Sequence, residues 1–130
     1  MNQKTHIEFY RSLGHLYYAI AAADNRIREE ELSALTTTIA KEWISLDKDA
    51  EYILEMFKQL QQSEQKTPDA CFQSFVNFKR AHYALFNNTI NSKILKTATA
   101  ITTSFSGQNK SELILLAKLD LELKKEESKG

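Results

Sequence analysis

A chain of 130 residues with 42% apolar and 26% charged residues has the size and balance of one globular domain, and needs no metal or disulfide staple to fold. Seventeen Lys and Arg offset seventeen Asp and Glu, which leaves no basic excess and excludes nucleic acid as the expected partner. Cys71 is the single cysteine, which excludes an intramolecular disulfide and a cysteine-rich zinc site.

The start of the chain leads into no apolar signal-peptide core. No run approaches the ~18 apolar residues of a membrane span. The expected compartment is the cytosol, without direct membrane insertion. Three glycines and one proline leave few breaks, which suits long helices.

Ile7, Tyr10, Leu13, Tyr17 and Ile20 recur at helical spacing, with Phe9 and Leu16 widening the face. They predict a well-buried first helix. Gly14 sits in its middle at a propensity cost of roughly 1 kcal/mol, which close approach of another helix would explain. A break follows at Asp24-Asn25-Arg26. The second helix carries Leu32, Leu35, Ile39, Trp43 and Leu46, with Glu29, Glu30 and Glu31 in a first turn whose dipole favours negative charge. Asp47 or a neighbour caps a third helix whose inward residues are Ala50, Ile53, Leu54, Phe57 and Leu60.

Residues 63–66 read as a loop. Thr67 at the N-cap and Pro68 at the first helical position start a fourth helix. Its stripe is Cys71, Phe75, Phe78, His82 and Leu85, with Phe72, Val76 and Phe86 beside it. Asn87-Asn88 is the expected stop, because Asn tolerates the left-handed conformation that ends helices. The fifth helix carries Ile90, Ile94, Ala98, Ile101 and Phe105, and Ser106-Gly107-Gln108 turns the chain. Asn109 and Glu112 have capping-box spacing before a sixth helix holding Leu113, Leu116, Ala117, Leu119, Leu121 and Leu123. The expected fold is all-α: a single-domain bundle of about six helices over residues 1–123, with a charged, frayed tail at 124–130.

An internal echo links the two ends. A shift of 81 positions pairs Leu13 with Ile94, Ala19 with Ala100, Ile20 with Ile101, Glu31 with Glu112, Leu32 with Leu113 and Leu35 with Leu116. Each half would be a helix, a short turn and a second helix that starts near a glutamate.

One segment carries a signature: Ala23-Asp24-Asn25-Arg26-Ile27-Arg28-Glu29-Glu30-Glu31. Asp24, Ile27 and Glu31 fit the second half of an EF-hand loop. The first half fails, because Ile20 and Ala22 occupy ligand positions and Asn25 replaces the required glycine. An EF-hand is rejected, since two carboxylates and a carbonyl fall short of a Ca²⁺ shell. Read with the alanine-rich helix before it and Leu35 after it, the segment resembles the TerB-like (tellurite-resistance protein B) family. The usual turn of that family is Ala-Asp-Gly, then an apolar residue and a glutamate at the next helix start. The close match covers residues 16–35, and a looser one extends over most of the chain through the echo.

That resemblance implies an all-helical bundle with a pseudo-repeat, a role in tellurite or other stress resistance, and association with signalling or co-chaperone modules. It also implies a divalent metal ion as candidate cofactor, held by Asp24 and Glu31 with Glu30 as a helper. Asn25 departs from the family's glycine. The second half's turn, Phe105-Ser106-Gly107, has no aspartate, leaving Glu112 as its acidic remnant. The plain reading of the same acids is structural: Asp24 closes the turn, and the three glutamates complement the helix dipole.

No other constellation carries chemistry. His82 lies on an apolar stripe and reads as a hydrogen-bonded boundary residue; His15 shares a surface face with Arg11 and Tyr18. Cys71 and His82 lie three turns apart on one expected helix, roughly 16 Å of rise, too far for a dyad. The aromatics fall at core spacing, with Tyr18, Tyr52 and Tyr83 suited to edges. No phosphate loop, zinc-helix motif or Ser-His-Asp pattern is present. The expected function is therefore a non-enzymatic binding or scaffold module of a stress-response type, with a protein partner. The alternative is a structural or self-associating helical protein without a ligand.

Overall fold

The computed structural model describes residues 2–63, 66–105 and 109–125. These form six α-helices and, among the described residues, no strand. The first, α1 (Gln3–Ala21), starts where the Asn2 side chain accepts from the Thr5 N–H at 2.8 Å. Leu13, Leu16, Tyr17, Ala19 and Ile20 are all sealed from solvent. They are sealed because α1 runs through the centre of the bundle, touching α3 (Glu51–Ser63), α4 (Pro68–Ala81), α5 (Asn88–Thr103) and α6 (Lys110–Lys124). Gly14 permits the tightest of these approaches. A Cβ there would stand 2.6 Å from Met56 Cβ and 2.7 Å from the Ile53 carbonyl oxygen.

The turn after α1 depends on Asn25, whose φ of 66° is left-handed. Asp24 Oδ1 accepts from the Arg26 N–H at 3.2 Å and closes the turn. Helix α2 (Glu29–Thr38) then widens into a π-helical turn, Ile39–Ile44. That widening turns Trp43 inward, where its indole N–H donates to Thr97 Oγ1 at 2.9 Å. It also ends the stepping of the expected second helix. Leu46, expected on the inner stripe, falls beyond the helix and is 78% exposed. Asp47 caps the short 3₁₀ turn Lys48–Ala50, accepting from the Asp49 N–H, and this turn feeds α3.

Thr67 and Pro68 start α4 as expected, with Thr67 Oγ1 accepting from the Ala70 N–H. The helix stops earlier than expected. His82 leaves the helical region (φ −133°), and a 3₁₀ turn, Tyr83–Leu85, follows. Asn87 is a start rather than a left-handed stop: at φ −75° it accepts from the Ile90 N–H and caps α5. The local signal was an Asn cap, and the competing choice of helix end was settled by Phe86 burying itself against Phe9, Phe75 and Phe78.

On α6 the inward seam is Glu112, Leu115, Leu119, Glu122 and Leu123, while Leu113 and Leu121 face solvent. The leucine run thus divides between two opposite faces. Ser63 and Lys124, expected in a loop and in the frayed tail, still belong to α3 and α6, while residues 64–65 of that loop, the turn at 106–108 and the tail from 126 lie outside the described residues. Among the described residues no helix is long and apolar enough to cross a membrane.

Candidate functional site

The acidic turn becomes a site only because the bundle brings its echo to it. Glu31, in the first turn of α2, and Glu112, in the first turn of α6, are 1% and 2% exposed. One guanidinium serves both halves. Arg28 lies 3.1 Å from Asp24, 3.7 Å from Glu31 and 3.8 Å from Glu112, with its plane 4.2 Å over the Phe105 ring. Asn109 closes the other side: its amide donates to Asp24 at 2.6 Å and to Glu112 at 3.0 Å, while its carbonyl oxygen accepts from the Glu112 N–H. Glu31 in turn accepts from the Arg28 backbone N–H at 2.8 Å, which caps α2.

Three carboxyl groups thus face one cation in a dry place, and both burial and mutual repulsion disfavour full ionisation. The Glu112 carboxyl is accordingly pushed up to about 9, first by burial and then by its hydrogen bond and repulsion with Glu31 and the charge of Asp24, against the pull of Arg28. Arg28 and Asn109 thus join the two helix starts. Glu31 Oε2 and Arg28 Nη1 are buried without a hydrogen-bond partner. Of the expected metal-ligating residues, Asp24 and Glu31 therefore meet around Arg28, whereas Glu30 is exposed on the outer side of α2 and takes no part. The positive charge that a metal ion would bring is already supplied from within the chain. Arg28 carried no sequence signal; Glu112 was marked by the 81-residue echo.

The far end of α6 is anchored by a second buried glutamate that the sequence did not single out. Glu122 receives Lys79 Nζ at 3.3 Å and Arg80 Nη2 at 3.0 Å, and Lys79 Nζ also donates to the Glu122 carbonyl oxygen at 2.6 Å. Burial alone would raise the Glu122 pKa, but hydrogen bonds from Arg80 and Lys79 hold it below the usual range.

Between α4 and α6, reaching the Glu122 anchor, runs a pair of adjoining clefts that share Lys118. Phe72 and Val76 line them from α4, and Ile114, Leu115 and Leu121 from α6. Arg80, Lys118, Lys124 and Lys125 surround Glu122 at the rim of one cleft, and Lys118 faces Asp69 across the other. Cys71 is buried, with burial pushing its thiol up, and the ring of His82 stacks on Phe78 at 4.4 Å. All ten residues between them, 72–81, are continuous helix, about 15 Å of rise, so they form no dyad. His15 is half-buried, with Nδ1 3.0 Å from the Arg11 carbonyl oxygen.

The fold and these sites define an all-α domain whose described residues form six α-helices, with α1 buried at the centre of the other five. No protein-family model matches the chain, and no match is found among curated proteins or solved structures.

Proposed function

We propose that this domain is a non-enzymatic helical binding module, of the kind its 23–31 turn resembles, and that it takes an acidic amphipathic helix of a protein partner between α4 and α6. A stress-response setting is part of that proposal and rests on the resemblance. The observation that carries the binding reading is the outer face of α6. At about 100° per residue, Leu113, Ile114, Ala117 and Leu121 fall within an arc of about 100°. Leu113, Ile114 and Leu121 are 48%, 50% and 64% exposed, although the opposite face of the same helix is packed. Arg80, Lys124 and Lys125 are paired within the chain, whereas Lys118, shared by both clefts, has no ion pair among the described residues. An apolar floor beside it suits a helix-in-groove partner that brings an acid to Lys118.

A photo-crosslinking residue at Leu121 tests this. The expected adduct is an acidic helical segment of one partner, formed less at high salt and lost with Lys118→Glu. An adduct between two copies of this chain, with a concentration-dependent mass, would instead establish self-association. Adducts indifferent to Lys118→Glu and to salt would refute the groove.

One observation favours a second reading, a divalent cation at Asp24 and Glu31. Glu31 Oε2 is buried without a hydrogen-bond partner, which leaves acceptor capacity that a cation would use once Arg28 swung out towards solvent.

A further inference from the structure

Away from the carboxylate joint, three metal-ligating side chains meet at the other end of α1. His6 comes from its first turn, and Asp47 and Asp49 from the 3₁₀ turn before α3 and its cap. His6 Nε2 lies 2.8 Å from Asp47 Oδ2 and 3.5 Å from Asp49 Oδ2. One donor atom from each of the three lies within 4.8 Å of the others. From this geometry we propose that His6, Asp47 and Asp49 form a binding site for a borderline divalent cation, Zn²⁺ above all, which ties the start of α1 to the π-turn–α3 junction.

Three features carry this. The spacing fits: metal–ligand bonds of about 2.0–2.1 Å at tetrahedral angles put neighbouring ligand atoms about 3.3 Å apart, between the two distances from His6. The ligand set fits too, because an imidazole nitrogen with two carboxylates suits Zn²⁺ better than Mg²⁺ or Ca²⁺, which prefer oxygen alone.

The surroundings also hold the ligands as an outer shell does. Tyr10 donates its hydroxyl to Asp47 Oδ2 at 2.8 Å, and Asp47 Oδ1 accepts from the Asp49 N–H at 3.0 Å. Among the described residues the ion pairs of Asp47 and Asp49 are with His6 only. Two carboxylates thus converge without a lysine or arginine to neutralise them. Side-chain exposures of 23%, 33% and 38% leave room for entry and for a water as fourth ligand. This site is independent of the carboxylate joint and shares no residue with it.

The test is calorimetric titration of the untagged, chelator-treated chain with Zn²⁺, with Co²⁺ replacing it to read coordination from visible absorption. The expected result is about one equivalent bound, with a tetrahedral Co²⁺ spectrum. His6→Ala and Asp49→Asn should each weaken binding about tenfold or more, while Glu55→Gln, at an exposed position on α3, leaves it unchanged. Asp49→Asn keeps the backbone N–H that Asp47 caps, and circular dichroism checks that both variants fold. Absence of stoichiometric binding, or binding that survives both substitutions, overturns the proposal. Loss of binding in Glu31→Ala would move the ion to the 24–31 turn and overturn it equally.

Discussion

Glu112 acts on stability in the sense opposite to a salt-bridged carboxylate. Its pKa in the folded chain is raised from an ordinary 4.5 to about 9, so the folded state holds a proton that the unfolded state has released. Its contribution is fully present below about pH 4.5 and is lost as pH rises through about 9. Glutamine keeps the shape of the protonated acid and cannot ionise. Denaturant unfolding of wild type should therefore show stability falling from pH 6 to pH 9. Glu112→Gln should flatten that slope, and an unchanged slope would place the proton elsewhere. Asn25 shows how a residue can satisfy a backbone demand without glycine. Its φ of 66° lies where Asn is among the few side-chain-bearing residues that sit readily.

At the scale of the element, α1 and α3 are held at a distance that one hydrogen atom sets. Gly14→Ala would gain roughly 1 kcal/mol of helix propensity. The new methyl, however, would meet Met56 Cβ at 2.6 Å and the Ile53 carbonyl oxygen at 2.7 Å, neither of them the far end of a flexible chain. Overpacking of this kind costs about 1–3 kcal/mol. The variant should melt lower than wild type by several degrees; a higher midpoint would mean the two helices can part freely. The π-turn at the end of α2 makes the same point about register. Widening the helix keeps Trp43 on Thr97 and under Lys93, 4.3 Å from its ring, and releases Leu46 to solvent.

Across the whole molecule, α6 is pinned at both ends by buried glutamates whose pH responses run in opposite directions. Glu112 seats the helix while protonated. Glu122, held ionised by Arg80 and Lys79, releases it as acid is added and its depressed pKa is crossed. A cation at Asp24 and Glu31 would act on this whole arrangement, because those side chains share Arg28 with Glu112. A divalent ion at a hundredfold its dissociation constant stabilises by ~2.7 kcal/mol, a midpoint shift of roughly 10 °C for a domain of this size. On the second reading, melts after chelation should show such a rise for one ion and its loss in Glu31→Ala. Melts unmoved by any ion would leave Arg28 as the resident cation of the joint.

Local chemistry was enough to announce the helices, the caps at Thr67 and Asn109, the left-handed Asn25 and the close approach at Gly14. Each follows from spacing, φ preference or hydrogen bonds within a few residues. The 81-residue echo also marked Glu31 and Glu112 as equivalents, but nothing local said that equivalents would touch. The inner face of α6 could not be read either, because its leucines step around the helix and only packing selects Leu115 and Leu119 over Leu113 and Leu121. The end of α4 at His82, the π-turn, the Arg28 joint and the meeting of His6 with Asp47 and Asp49 were decided by tertiary structure alone. The physical reason is common to all of them. A helix is specified by neighbours in sequence, whereas a buried charge, a register shift or a ligand cluster is specified by what the rest of the fold places opposite it.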